Sequence, residues 1–110
     1  MSFLSSINTK MRIDTIKILL RNHKGLESKL IIDSSFNTSA TIETLDLIEP
    51  QLTLAAVAWD FWNGGGEAEM DKILNLLPQD DFDAFIDALL EYRIARNKIR
   101  TIHLENKQHT

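Results

Sequence analysis

The chain has 110 residues, of which 44% are hydrophobic and 25% charged, the composition of an ordinary globular protein, and this length provides for one domain. It carries a formal net charge of −4 and contains no cysteine, which excludes disulfides, thiolate zinc sites, iron–sulfur clusters and cysteine nucleophiles. No apolar run approaches the roughly 20 residues that a membrane helix needs, and the first six residues lack the basic region of a signal peptide, so we expect a cytoplasmic protein with no membrane contact.

The charges are segregated along the chain. Residues 1–40 hold six Lys/Arg and three Asp/Glu, residues 41–92 hold one Lys and twelve Asp/Glu, and residues 93–110 hold five Lys/Arg and one Glu. Two interpretations stay open. Either the basic ends fold back on the acidic centre, or one of the charged regions faces a charged partner.

The first third of the sequence is consistent with two structures. Thr9 can cap a helix that runs to Leu20 and stops at Gly25. The alternative is a β-hairpin over residues 14–33, because apolar residues alternate on both sides of the turn-forming segment 22–25. We expect the helix and keep the hairpin as the alternative.

The segment that follows predicts a loop and then a short helix. Residues 33–41 are rich in Ser, Asn and Thr, which favour loops and helix caps. One of Asn37, Thr38 and Ser39 is expected to start a helix that runs through Ile48.

The most apolar segment predicts a buried helix. Pro50 suits the first turn of a helix, and residues 52–62 are apolar on nearly every side at 100° per residue, which is typical of a helix buried on most sides. Asn63 and the three glycines after it end the helix, because both residue types tolerate the left-handed conformation. Asp60 lies between two aromatic residues near this end, so it is either hydrated at the edge or buried with a partner.

Two more helices are predicted after the glycines. Residues 67–77 form the first, which ends at Pro78, and its apolar stripe consists of Met70, Ile73, Leu74 and Leu77. Asp80 or Asp81 caps the second, which runs past Arg93, and its expected core stripe consists of Phe82, Phe85, Ile86 and Leu89. We expect one domain over residues 1–104 and a frayed tail over residues 105–110.

An acidic stripe lies on a separate side of the last helix and consists of Asp80, Asp83, Asp87 and Glu91. Calcium sites take most of their ligands from loops that also supply carbonyl oxygens, so a solvated helix face explains the stripe better than a metal site. The same four carboxylates are our candidate surface for binding a protein partner.

An arginine stripe follows on the same helix, with Arg93, Arg96 and Arg100 at i, i+3 and i+7. It continues the face that is expected to be core, and a core face does not turn from apolar to arginine. Three interpretations stay open. The helix breaks near Arg93, or it extends beyond the domain and offers the arginines to a partner, or the arginines reach acidic residues on neighbouring helices. Because arginine suits phosphate as well as carboxylate, the stripe is an alternative nucleic-acid-binding site, although the acidic remainder of the chain would repel the phosphates.

Three large rings, Trp59, Phe61 and Trp62, fall within four residues. On a helix they point in three directions, and one small core does not readily hold all three. Core packing is the simpler interpretation for each ring. The alternative places Trp59 and Trp62 at a surface that binds a partner or a second copy, where tryptophan is enriched.

No set of residues predicts catalysis, a cofactor or a metal site. Gly64-Gly65-Gly66 lacks the Lys-Ser/Thr of a phosphate-binding loop, and acidic residues follow it. The three histidines have no metal-ligand spacing, and none has a carboxylate three or four residues away on a predicted helix. We therefore expect a protein that is not an enzyme.

Residues 55–66, which read Ala-Ala-Val-Ala-Trp-Asp-Phe-Trp-Asn-Gly-Gly-Gly, resemble small uncharacterised proteins carried by bacterial plasmids and prophages. Those proteins have an apolar helix that ends in Trp-Trp-Asn, a Gly-rich turn and a segment rich in Leu and Asp. Asp60 departs from this pattern, and residues 1–50 take no part in the resemblance. It implies a bacterial or mobile-element accessory protein and carries over no activity and no site residues.

We therefore expect a mainly α protein, a compact bundle of four to five helices, with an α+β fold containing the 14–33 hairpin as the alternative. The expected function is that of a small acidic, non-enzymatic protein-interaction module: a regulator, inhibitor or accessory subunit. It would bind a protein partner through the acidic stripe and the aromatic helix end, or form a homo-oligomer there. The alternative function is nucleic-acid binding by the arginine stripe.

Overall fold

The computed structural model describes the backbone of residues 3–108 and the side chains of residues 6–105. Six helices and one two-stranded hairpin lie within this part of the chain, so the prediction of a mainly α fold is confirmed. The helices are α1 (Phe3–Leu19), α2 (Lys24–Leu30), α3 (Ile42–Leu45), α4 (Gln51–Asn63), α5 (Met70–Leu76) and α6 (Gln79–Gln108), and the strands are β1 (Ile31–Ile32) and β2 (Ser35–Phe36).

The N-terminal segment forms α1, a helix with neighbours on two sides. It packs against both α4 and α6, so two of its faces need apolar residues. One buried row consists of Met11, Thr15 and Leu19, and a second consists of Ile13 and Ile16, with Leu20 just past the helix. Two such rows produce the alternation of apolar residues that also fits a strand. The hairpin predicted over residues 14–33 as the alternative is therefore wrong.

The turn between α1 and α2 is made without a glycine. The N–H of His23 donates to the carbonyl of Leu20 at 2.8 Å, and the N–H of Glu27 donates to the carbonyl of His23 at 3.0 Å. Gly25 therefore lies in the first turn of α2, and its predicted role as a helix stop is wrong.

A small hairpin occupies the start of the segment predicted to be a loop. Ile31 pairs with Phe36 and Ile32 with Ser35 in an antiparallel ladder. The two turn residues between the strands, Asp33 and Ser34, have φ of 52° and 63°, as a type I′ hairpin requires. The hairpin delivers the buried ring of Phe36 to the core.

The predicted short helix is α3, which starts later than expected and ends at Leu45 rather than running through Ile48. Its N-cap is Thr41, whose hydroxyl accepts the N–H of Thr44 at 3.3 Å. The earlier candidates do not cap it, because the Asn37 side chain instead bonds to the carbonyl of Lys29 and to the N–H of Ser39. Side chain–backbone bonds of this kind compete with helix formation.

The central helix is α4, as its apolar sequence predicts. It contacts α1, α2, α3 and α5, and its buried residues are Thr53, Leu54, Ala55, Ala56, Val57, Ala58 and Phe61. Gly64 has a left-handed φ of 70°, and its N–H donates to the carbonyl of Asp60 at 2.7 Å. The predicted end at the glycines is confirmed, because this conformation costs glycine little.

The core-facing side of α6 differs from the predicted one. Ala84, Phe85 and Ala88 are buried, whereas Ile86 and Leu89 are exposed. α6 packs chiefly on α1, and its buried side carries the small side chains of Ala84 and Ala88. The side of α6 that carries the alanines is therefore the inner one, and the prediction of Ile86 and Leu89 as core residues is wrong.

The helix predicted over residues 67–77 is shorter, and only part of its apolar stripe is buried. Ile73 is buried and Leu77 partly buried, but Met70 is 63% exposed and Leu74 61% exposed. Seven residues make about two turns, so α5 rests on α4 along one narrow side. The prediction of Met70 and Leu74 as core residues is wrong.

α6 is one continuous helix of 30 residues, about 45 Å long at 1.5 Å per residue, in a molecule that measures 50 × 26 × 21 Å. A break near Arg93 is thereby excluded. The helix includes residues 105–108 of the predicted tail, and residues 109 and 110 lie outside the described part. None of the helices found in residues 3–108 combines the length and apolar character needed to cross a membrane.

Candidate interaction surface on α6

Large apolar side chains line the solvent side of α6. Leu90 is 57% exposed and Ile94 51% exposed. At about 100° per residue, Ile86, Leu90 and Leu104 fall within one narrow strip, with Leu89 and Ile94 on either side of it. We call this strip and its borders the outer face; its exposed apolar members are Ile86, Leu89, Leu90, Ile94 and Leu104. Ile86, Leu90 and Ile94 follow one another at one-turn intervals, and such a row of exposed apolar side chains is a feature of binding surfaces rather than of scattered surface residues.

The acidic stripe borders the first half of the outer face. Asp80, Asp83, Asp87 and Glu91 are all exposed. The carboxylate of Asp87 accepts from Arg21 Nη1 at 2.7 Å, in a pair whose side chains are 43% and 53% exposed. Asp83 accepts from Gln79 Nε2 at 2.8 Å. Exposed pairs of this kind contribute little to stability, so the stripe keeps most of its charge available to solvent.

The arginine stripe borders the second half of the outer face. An open groove of about 580 Å³ runs along it, bordered by Leu89, Leu90, Arg93, Arg96, Asn97 and Arg100. Arg96 Nη1 lies 3.4 Å from Asn8 Oδ1. None of the three arginines forms a salt bridge with an acidic side chain among residues 6–105. The interpretation that the arginines reach acids of neighbouring helices is therefore wrong for this part of the chain.

α6 is therefore polarised from end to end. Residues 79–91 contain five acidic residues and no Lys or Arg, whereas residues 92–104 contain Arg93, Arg96, Lys98 and Arg100 and no acid. Acids near a helix N-terminus and bases towards its C-terminus complement the helix dipole, so part of this arrangement serves the stability of the helix itself. The dipole acts within the terminal turns only, and it gives no reason for the apolar row between the two charged regions.

Trp59 and Trp62 both pack against the hairpin. The ring of Trp59 meets Phe36 edge-on at 4.9 Å between centroids, and Trp62 stacks on Phe36 at 5.3 Å. Trp59 Nε1 also donates to the carbonyl of Ala40 at 3.2 Å. The two rings hold the hairpin on α4 and are partly buried. These internal contacts account for both tryptophans, and their partner-binding role stays a prediction.

Asp60 has its partners in the backbone of the glycine loop. One carboxylate oxygen accepts the N–H of Glu67 at 2.5 Å and the other accepts the N–H of Ala68 at 2.9 Å. Charge-assisted bonds of this kind stabilise a carboxylate that leaves water. Asp60 thus fixes the path of the chain from α4 to α5, and no histidine is paired with it in the described residues.

Arg12 is a residue that the sequence did not single out. Its Nη1 donates to the carbonyls of Phe61 at 2.8 Å and Trp62 at 2.9 Å. These are unpaired acceptors at the end of α4, where a cation is favoured. Its guanidinium also lies 5.9 Å from the centroid of the Tyr92 ring. Arg12 thereby joins α1, α4 and α6, and no local sequence signal predicts a contact over 50 residues.

A histidine–carboxylate pair links the α1–α2 turn to the start of α6. His23 Nε2 lies 2.9 and 3.0 Å from the two oxygens of Asp81, and Asp81 is only 3% exposed. The sequence predicted no such pair, because 58 residues separate the partners. The other ring nitrogen lies 3.5 Å from Gln51 Nε2 rather than beside a hydroxyl, so the pair lacks the nucleophile of a catalytic triad and acts as a tie between elements.

The described side chains contain no cluster of three or more His, Asp or Glu that could hold a metal ion. Comparison with known proteins found no matching family model, no matching curated protein and no matching solved structure. The resemblance to plasmid and prophage proteins therefore stays a prediction.

Proposed function

We propose that this chain is a small non-enzymatic protein-interaction module, acting as a regulator, inhibitor or accessory subunit, and that it binds its partner through the outer face of α6. The observation that carries the proposal is the row of exposed apolar side chains on that face. Leu90 and Ile94 lie at its centre, each more than half exposed. Burying such side chains against a partner is the main favourable term in most protein association.

The charged borders of the outer face support the same function. The acidic stripe lies on one side of the apolar row, and exposed charges of one sign speed the encounter with a partner of the opposite sign. Reversal of Asp83 and Asp87 to lysine would slow association with a basic partner while leaving the fold intact, because both side chains are exposed.

The experiment compares two variants in affinity capture from a lysate of the source organism, treated with nuclease. Leu90→Ser/Ile94→Ser alters the outer face. Met70→Ser/Leu74→Ser is the matched control, since those side chains are at least as exposed as Leu90 and Ile94 but lie on α5. A protein captured stoichiometrically by the wild type should be retained by the control and bound about tenfold or more weakly by the outer-face variant, because full burial of a Leu or Ile side chain contributes roughly 1.5–3 kcal/mol. Equal capture by both variants would remove the outer face from the proposal.

Nucleic-acid binding is the second candidate, favoured by the groove in which Arg93, Arg96 and Arg100 lie without acidic partners among residues 6–105. Binding of DNA or RNA would weaken steeply with salt, because each neutralised phosphate releases counterions. The double variant Arg96→Ala/Arg100→Ala should then lose affinity and flatten the salt dependence. Fluorescence anisotropy with labelled duplex and single-stranded oligonucleotides tests this, and no change in anisotropy at low salt would eliminate the candidate.

A further inference from the structure

We propose that the outer face of α6 binds a second copy of this chain, with the two α6 helices packed antiparallel. This inference rests on the proposed function, since it names the partner of the same surface. Two kinds of observation support it: the position of the exposed apolar residues, and the opposite charges of the two halves of α6.

The apolar residues lie near the middle of α6, where an antiparallel pair would cross. Leu90 and Ile94 are four residues apart, one turn along the helix. A twofold axis near residue 92 places Leu90 of one copy opposite Ile94 of the other, twice. Each of these side chains is more than half exposed in the single chain. Mutual burial of the four would remove the largest apolar area of the outer face from water.

The charges select the antiparallel orientation. In a parallel pair the acidic residues Asp83 and Asp87 would face the same acids of the second copy, and the basic half would face itself. In the antiparallel pair about residue 92, Asp83 falls opposite position 101, next to Arg100, and Asp87 falls opposite position 97, next to Lys98. Within one copy Asp83 and Arg100 are 17 residues apart, about 26 Å along the helix, so they cannot pair with each other. The second copy supplies the charge that each half lacks.

A second copy fits the groove beside Arg93 and Arg100 better than nucleic acid does. Leu89 and Leu90 border the groove and would gain nothing from a phosphate backbone. The half-buried Tyr92, with Arg12 over its ring, does not offer a free face for stacking a base. The acidic stripe on the same helix would repel phosphate. The first half of α6 presents both leucine and carboxylate side chains. In a second copy it can bury the leucines of the groove and pair with its arginines at the same time.

The test uses two complementary charge reversals in the full chain. Asp83→Lys/Asp87→Lys makes all four positions of the proposed charge pairs basic, and Lys98→Glu/Arg100→Glu makes all four acidic. Sedimentation equilibrium should give twice the 12.6 kDa chain mass for the wild type and a mass near that of one chain for each variant alone. An equimolar mixture of the two variants should again give the doubled mass, because acidic side chains then meet basic ones at the four pair positions.

The matched control reverses two charges away from the outer face. Lys24→Glu/Lys29→Glu alters exposed residues of α2 and should leave the doubled mass unchanged. Circular dichroism of every variant checks that the helices are kept. The dimer should also dissociate more readily as salt is raised, since screening weakens exposed charge pairs.

Several outcomes would overturn the dimer. A wild type that stays at one chain mass at every concentration would do so, and so would variants that still double alone or a mixture that does not. A monomeric wild type that nevertheless captures another protein through Leu90 and Ile94, or binds nucleic acid through the arginine stripe, would refute the dimer. Capture of a protein in that case leaves the proposed function standing. A wild type that neither self-associates nor captures a protein would refute both the dimer and the proposed function.

Discussion

The helices α4 and α6 place their large apolar side chains in opposite ways. α4 has neighbours on several sides and is apolar on nearly every side, so its large side chains point inward. α6 packs chiefly on α1, buries alanines on its inner side, and turns leucines and isoleucines towards solvent. Large apolar residues are therefore not by themselves a sign of core. What decides is whether a neighbouring element is present to cover them.

The largest expected difference between α4 and α6 comes from truncating one leucine on each helix. Leu54 is fully buried in α4, so Leu54→Ala should lower the free energy of unfolding by about 2–5 kcal/mol through lost burial and a cavity. Leu90→Ala removes the same atoms from the outer face of α6 and should change it by no more than about 0.5 kcal/mol at concentrations where the chain is monomeric. Urea denaturation followed by tryptophan fluorescence measures both, and equal losses would contradict the comparison.

A second prediction compares the inner and outer sides of α6. Asp81 is buried against His23, and Asp83 is exposed two residues later. Asp81→Ala leaves a largely buried imidazole without its acceptor and should cost about 1–3 kcal/mol, whereas Asp83→Ala should cost about 0.5 kcal/mol or less.

The combination with His23→Ala completes a double-mutant cycle for the Asp81 pair. Coupling between the two changes is expected because the side chains are in contact. If the two substitutions were simply additive in urea denaturation, the pair would not tie the α1–α2 turn to α6.

The smallest effect is expected where a carboxylate meets only backbone donors or only an exposed arginine. Asp60→Ala removes two N–H acceptors at the glycine loop and should cost about 0.5–2 kcal/mol, as loss of a helix-capping side chain does. Asp87→Ala removes the exposed pair with Arg21 and should cost about 0.5 kcal/mol or less. Hydrogen exchange of the Glu67 and Ala68 amides is the more specific measurement. Faster exchange in Asp60→Ala, but not in Asp87→Ala, is the expected result.

Parts of the fold that depend on neighbours in sequence were predictable. The apolar run of α4, its end at Gly64 and the exposed acidic stripe from Asp80 to Glu91 all follow from helical spacing and local conformational preference. Contacts between distant residues were not. The pair of His23 with Asp81, and the contact of Arg12 with the end of α4, join segments that nothing in the local pattern relates.

The charged stripes of the candidate surface were predictable from the sequence, whereas its exposed apolar row was not. Spacing alone identified the acidic and arginine stripes of α6, because charges at i, i+3 and i+7 share a side of any helix. Spacing assigned Ile86 and Leu89 to the core, because it takes an apolar row to be an inner one. The sequence offered no measure of which side of α6 would pack on α1.

The sequence by itself determined the helical class of this protein, the buried character of α4 and the opposite charges of the two halves of α6. These properties are set by side chains within a few turns of each other, and they hold whatever the helices pack against. The tertiary structure decided which side of α6 faces inward, and thereby that Leu90 and Ile94 face solvent while Trp59 and Trp62 cover Phe36. That choice depends on which pair of surfaces packs most closely, and close packing is a property of two elements together.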